Sequence, residues 1–527
     1  MNEPFSSRNP STLSPLRQLE QTALSAIPEI VGKARDAQQV WAQLPAKTRC
    51  QIIRNAREHI LENIDDIAAL IQSENGKPQT EAIIHDILPV CELMTTYVRR
   101  APDLLRKKRL PLRVMLHRAS YLHYWPVGVV AVIAPWNFPF SIPFGEVVLA
   151  LLSGNAVIMK PSEVTPLVGL KIAEVLEHAG LPKNIFQIVL GDGLRGHALV
   201  TGGVDKVFFT GSVPTGKKVM AAAAESLTPV ILELGGKDPM IVMPDANLDF
   251  ATSAALWGSF ANSGQACAST ERIIVHESIH DDFVRKLAEK AGKLRRNTSS
   301  ELSDLGSITF DRQKEIYKSQ LAELNDSNSN IVCGGDMSPD GTFLGPTVVT
   351  NPPGSTVDDC PLEKTKLYRE ETFGPIVAVT KYKTSKQAVE KANDTQYGLL
   401  ASIIGKDTAM AMQMAEQIRA GSVLINEVLY THGLPETPWG GVKQSGFGRV
   451  HSDLGFYEFV NVRHIHKERW SFLVFKSLWW FPYSRHQLAM FRHLLNFLYR
   501  RSWLRRALAL PNLLVEFVEM IKTEKRL

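Results

Sequence analysis

The chain has 527 residues, of which 44% are hydrophobic and 21% charged, and a formal net charge of +5. That length calls for two or more substantial domains with cores of their own, and so small a net charge gives no reason for a nucleic-acid partner. The five cysteines, Cys50, Cys91, Cys267, Cys333 and Cys360, show neither CxxC nor Cys/His ligand spacing, so neither a disulfide framework nor a metal site is indicated; a reducing compartment, the cytoplasm, fits best.

The stretch Met1 to Leu16 is rich in Ser, Pro and Asn and lacks an apolar h-region, so it does not read as a secretory signal and is expected to fray. From about Arg17 to Arg106 apolar residues recur at helical spacing, as in Ile52 to Leu70. A β-rich stretch, Ser120 to Val132, reaches the turn Pro135-Trp136-Asn137-Phe138-Pro139. Short apolar strands and helical periods then alternate. Asn155 to Lys160, Ile185 to Leu190 and Lys206 to Phe209 read as strands and Leu167 to Ala179 as a helix, the pattern of a parallel sheet with crossover helices.

A second alternating region starts near Pro239-Met240-Ile241-Val242, with helices at Leu248 to Ala261 and His280 to Lys293 around a strand at Arg272 to His276. Asn297 to Ser303 and Pro352 to Cys360 read as loops. No apolar run approaches the roughly 18 to 20 residues needed to cross a bilayer.

Three segments have the composition of a reactive site. The strand Pro229 to Leu234 carries Glu233 at its end, beside Gly235 and Gly236, where backbone can approach a ligand. Cys267 follows the Gly-containing turn Asn262-Ser263-Gly264-Gln265 and is flanked by alanines. Alone, each is equally a solvated glutamate or an inert thiol. They are 34 residues apart, enough for one strand and one helix to return the chain to the same sheet edge. Phe208-Phe209-Thr210-Gly211-Ser212 then joins a strand to a helix whose first N–H groups can face a pyrophosphate, although it is not the GxGxxG fingerprint.

Together with Lys160-Pro161-Ser162-Glu163, Glu371-Thr372-Phe373-Gly374-Pro375 and Pro438-Trp439-Gly440-Gly441, these segments occur in an order that resembles the aldehyde dehydrogenase superfamily over roughly Glu20 to Val462. The resemblance implies an α/β fold: a doubly wound dinucleotide-binding domain, an α/β catalytic domain and a small β oligomerisation arm. The expected division is N-terminal helices at 1–107, the arm at 108–126, the rest of the dinucleotide-binding domain at 127–237, the catalytic domain at 238–437, a return segment and strand at 438–466, and an extension at 467–527. Cys267 matches the nucleophile, Asn137 and the Cys267 N–H the oxyanion hole, and Glu233 the base that hydrolyses the thioester. Hydrolysis to a free acid is favoured over transfer to coenzyme A. Trp136, Lys160, Glu163, Gly211, Ser212, Leu234, Glu371 and Phe373 match cofactor-binding positions. A carboxylate at Glu163 disfavours a 2′-phosphate, so NAD is expected, with NADP as the alternative. A homodimer or homotetramer is implied as well.

The last sixty residues lie beyond the resemblance. Trp470, Phe472, Phe475, Trp479, Trp480, Phe481 and Tyr483 crowd together, and Leu488, Phe491, Leu494, Leu495 and Leu498 share a helical face opposite Arg492, Asn496 and Arg500. Arginines continue at Arg501, Arg505 and Arg506. This composition suits a bilayer interface, so 470–510 is expected to make peripheral contact at the cytoplasmic face of a membrane and the substrate to be a lipophilic or long-chain aldehyde. The alternatives are a small-aldehyde or semialdehyde dehydrogenase whose tail packs the oligomer, or a non-catalytic NAD-binding scaffold.

Overall fold

The computed structural model describes residues 4–296, 303–470 and 478–524. The loop expected at Asn297 to Ser303, apart from Ser303, and Phe472 and Phe475 of the aromatic cluster lie outside the described residues. The chain forms two compact units, Met1–Lys107 with His123–Arg463, and Lys108–Leu122 with His464–Leu527.

Two sheets organise the first unit. The six-stranded sheet runs in the order Gly446–Phe447, Val230–Glu233, Lys206–Thr210, Val129–Ile133, Ala156–Lys160, Phe186–Ile188, parallel throughout except at its Gly446–Phe447 edge. Val129 to Ile133 and Ala156 to Lys160 are continuous runs whose every residue is buried, as expected of parallel strands covered on both faces. Ser141–Leu152 and Pro166–His178 are among the helices on the sheet, and two apolar clusters are built on its residues. This is the expected doubly wound arrangement.

The seven-stranded sheet has the order Asn330–Cys333, Thr347–Thr350, Ile376–Tyr382, Thr270–His276, Asp238–Val242, Leu400–Ile404, Ser422–Ile425. Only its Asn330–Cys333 edge is antiparallel. Glu233 ends a strand of the first sheet, and Asp238 begins a central strand of the second. One strand and one helix, Leu248–Phe260, do separate Glu233 from Cys267. They do not return the chain to the same sheet edge: the two residues meet where one sheet hands over to the other.

The amino terminus departs from expectation. Phe5–Arg8 and Pro15–Leu19 form an antiparallel hairpin rather than a frayed end. Ser7 is buried and donates to the Glu74 carboxylate, which also accepts the Leu167 and Val168 N–H groups. A polar segment is ordered here because a buried carboxylate needs its donors.

The second unit holds Lys108–Leu110 and one end each of Arg118–Pro126 and Val460–Glu468, strands of a three-stranded sheet in the order Val460–Glu468, Arg118–Pro126, Lys108–Leu110. The helical reading of the tail resolves into two helices, Arg485–Tyr499 and Trp503–Glu524, folded back on one another. Ser484 and Gln487 make a capping box at the start of the first, and His486 Nδ1 lies 2.8 Å from Glu516 Oε2 across the pair. Part of the apolar face predicted for the first helix, Leu488 and Leu495, stays exposed, as do Trp503, Leu508 and Val515 of the second. No helix among the described residues is long and apolar enough to cross a membrane.

Candidate active site

Cys267 stands on the loop entering Thr270–His276, and its Sγ receives the Ala268 N–H. Burial pushes the thiol well above the ordinary range, and the nearby Glu233, Asp238 and Glu371 carboxyls push it further. In this setting the resting sulfur is protonated.

Asn137, in the turn after Val129–Ile133, is buried, and its Nδ2 donates to the Gln265 carbonyl at 3.1 Å. A primary amide has two N–H donors, so a second remains beside the cysteine loop. The Asn137 carbonyl accepts from Lys77 Nζ at 2.7 Å and Asn262 Nδ2 at 3.0 Å. Lys77 is paired with Asp86 at 2.7 Å, both side chains fully enclosed. Asp86 Oδ1 in turn accepts the Phe140 and Ser141 N–H groups.

Glu233 is buried at its strand end, with Oε1 lacking a partner. Burial raises its carboxyl to about 8, against the lowering effects of the Arg449 charge and a hydrogen bond from the Trp439 side chain. Its proximity to Cys267 is set by backbone: a Cβ on Gly236 would meet the Cys267 carbonyl at 2.4 Å, so only glycine lets the two segments lie together. Gly235 serves Glu371 in the same way, since a Cβ there would stand 2.2 Å from Glu371 Oε2. Glu371 Oε1 accepts the Gly236 N–H at 3.0 Å, and burial raises this carboxyl to about 8. The three predicted chemical groups are therefore brought together.

The remaining predicted positions fall into two groups. Trp136 and Phe373 stack edge to face at 5.3 Å between centroids, with Phe373 in a left-handed conformation held by its N–H on Glu271. On the six-stranded sheet, Lys160 is buried with Nζ 3.4 Å from the half-exposed Glu163 carboxylate. Gly211 donates to the Glu233 carbonyl, and Ser212 begins Val213–Ala224 without capping it through its side chain. Those first-turn N–H groups remain available to an anion. Leu234 lies against Gly216 of that helix.

Sequence reading missed the supports. Lys77, Glu81 and Asp86 sit in a segment read only as helical, Lys237 pairs with Glu271 beneath the Thr372-Phe373 turn, and Trp439 was seen only as part of a motif. Beside Cys267 a cavity of about 50 Å³ is lined by Phe138, Ile142, Trp257, Leu429, Trp439 and the imidazoles of His85 and His432, among others. Among the described residues one group has metal-ligand geometry, His59, Glu174 and His178. The two imidazoles stack on each other and Lys171 occupies the carboxylate.

Doubly wound sheets that converge on a thiol, an amide and a carboxylate at their strand ends define an α/β enzyme with its chemistry at a sheet junction. The class becomes specific on comparison with known proteins: residues 1–465 match the aldehyde dehydrogenase family, and the chain belongs to it. It is 36% identical over 482 residues to 4,4'-diapolycopene aldehyde oxidase of a Methylomonas species, covering 90% of this chain and 87% of that one. Among solved structures, Staphylococcus aureus betaine aldehyde dehydrogenase in complex with NAD+ is similar with a TM-score of 0.83 and 29% identity, covering 91% of this chain and 93% of that one. An NADP-dependent enzyme of E. coli gives a TM-score of 0.83 and 29% identity, covering 88% and 95%. The protein is an oxidoreductase of this family.

Proposed function

We propose that the protein oxidises lipophilic aldehydes to carboxylic acids with NAD, through a covalent intermediate on Cys267. The observation that carries this reading is the Asn137 amide fixed on the cysteine loop while Cys267, against an apolar cavity, is held beside a buried Glu233.

The thiol first loses its proton to solvent, which leaves Glu233 free for the later step. Sγ then bonds to the aldehyde carbon as the carbonyl π pair moves onto oxygen, and the Asn137 amide with the Cys267 N–H hold that charge. Bound NAD supplies the acceptor for the hydride lost from the thiohemiacetal carbon. Glu233 next takes a proton from water as its oxygen attacks the thioester. The C–S bond breaks, the sulfur recovers a proton and the acid leaves.

The donor set fits a dinucleotide. The uncapped start of Val213–Ala224, with Gly211, Ser212 and Leu234, suits the pyrophosphate. Lys160 and Glu163 suit the adenosine ribose, Glu371 the nicotinamide ribose, and Trp136 with Phe373 the space beside the ring. Glu163 favours NAD over NADP by charge. The cavity lining contains no Lys or Arg, and burial lowers its His85 and His432 to about 4, leaving both neutral at pH 7. Nothing there pairs with a carboxylated substrate, and the carotenoid-aldehyde relative supports a lipophilic one.

The three-stranded sheet supports subunit pairing in a homodimer or homotetramer. Exposed Trp479, Trp480, Phe481 and Trp503, with Arg500, Arg501, Arg505 and Arg506 at the helix turn, support lodging of the tail in a lipid interface on the cytoplasmic side. The decisive experiment is NADH release over aldehydes graded in chain length, with succinate semialdehyde included, run beside Cys267→Ser. Turnover rising with chain length and abolished in the variant is expected; a preference for the semialdehyde, or an active Cys267→Ser, overturns the reading.

A further inference from the structure

We propose that Glu81 is a positioning residue for the oxidation step, holding the turn 262–264 so that the Cys267 N–H and the Asn137 amide face one oxygen. The inference rests on Cys267 being the nucleophile. After the helix Leu248–Phe260, three successive residues adopt left-handed backbone: Asn262 at φ 52°, Ser263 at φ 54° and Gly264 at φ 69°. Two of the three carry a Cβ, so the conformation is unfavourable in isolation and persists only where its surroundings enforce it.

The enforcing contacts are specific. The Asn262 N–H donates to Glu81 Oε1 at 2.8 Å, its side-chain amide donates to the Asn137 and Gln265 carbonyls, and Ser263 Oγ donates to the Gly306 carbonyl. Glu81 is thus the only carboxylate among these partners, and it supplies the acceptor for the N–H of the first left-handed residue.

Its place in the chain adds a second observation. Glu81 directly precedes a π-helical turn, Ala82–Ile87, a local form that recurs at functional sites. The ten residues from Lys77 to Asp86 contain, besides Glu81, Lys77, which grips the Asn137 carbonyl, Asp86, which grips the Phe140 and Ser141 N–H groups, and His85, which lines the cavity. One segment therefore grips both halves of the oxyanion site. Glu81 Oε2 is enclosed without a hydrogen-bond partner, an arrangement that costs stability. Among the described residues Lys77, Asp86 and Asp304 are the charged groups that act on it, and burial raises its carboxyl to about 7.

The test compares full-length Glu81→Met, which keeps volume and removes the acceptor, with Glu81→Gln, which keeps an acceptor without charge. The readouts are the first-turnover NADH burst with decanal, the KM for decanal and the rate of Cys267 alkylation by iodoacetamide. Glu81→Met is expected to slow the burst about 10- to 100-fold with little change in KM, and to change the alkylation rate. Glu81→Gln should stay within about threefold of wild type in the burst. If Glu81→Met does not fold, Glu81→Asp, which draws the acceptor back by one methylene, is expected to slow the burst in its place. A wild-type burst in the acceptor-displacing variant, or a Glu81→Gln as slow as it, overturns the proposal. An active Cys267→Ser would instead remove the parent reading; an inactive one beside a normal Glu81→Met removes only the role of Glu81.

Discussion

A carboxyl raised to about 8 is mostly protonated at neutral pH and cannot then take a proton from water. If Glu233 is the hydrolytic base, the rate of acid release from the acyl enzyme rises with pH through about 8 and levels above it. A flat single-turnover profile between about pH 6 and 9 would remove that role. The Trp439 indole lowers this carboxyl, so Trp439→Phe should move the midpoint upward. Glu233→Gln should give a burst of NADH followed by a stall, about 100-fold or more in steady-state rate. Gly235→Ala drives a methyl group into Glu371, 2.2 Å from Oε2, and should weaken NAD binding measured by fluorescence quenching.

These residues were readable because each lies in a short run with Gly, Pro or an aromatic at fixed offsets. Glu233 beside Gly235-Gly236 and Cys267 after Gly264-Gln265 announce tight backbone approaches. Their partners do not. Nothing along the chain ties the Trp439 indole to a carboxylate some two hundred residues earlier, and Glu81 occupies an unremarkable place in a helical pattern. Such pairings depend on tertiary placement, to which period and propensity are blind.

Among the elements, the segment 77–86 contributes most beyond its own hydrogen bonds. Lys77 and Asp86 are both 0% exposed, and removing one member of an enclosed ion pair strands the other charge. Lys77→Met should cost about 3–5 kcal/mol in denaturant unfolding, whereas the double change Lys77→Met with Asp86→Leu should cost less. Equal losses would mean that the charges do not depend on one another. The amino-terminal hairpin carries the same lesson from the other side. Its Ser- and Asn-rich sequence reads as disordered, yet the Ser7 hydroxyl satisfies a buried glutamate. Strand and helix positions in the two sheets were legible from apolar runs. The handover between the sheets was not, because a strand's sequence says how it is buried and not which sheet it joins.

On the scale of the whole chain, the tail sets the enzyme apart from a body that otherwise follows its family. Removing residues after Lys467 should leave NADH release with a water-soluble short aldehyde within about threefold and abolish co-sedimentation with anionic liposomes. Retained sedimentation of the shortened protein would assign the contact elsewhere. Raising salt should weaken the arginine contribution and leave that of the exposed Trp503 and Phe481, which are 73% and 75% accessible.

The passage from Glu233 to Asp238 carries the chain from one layer to the other beside the chemistry itself. A crossing of so few residues behaves as a hinge pin: a small rotation of one layer against the other is felt first as a change in the gap between base and sulfur. Catalytic alignment should therefore fail on warming before either layer melts, with loss of turnover preceding loss of ellipticity.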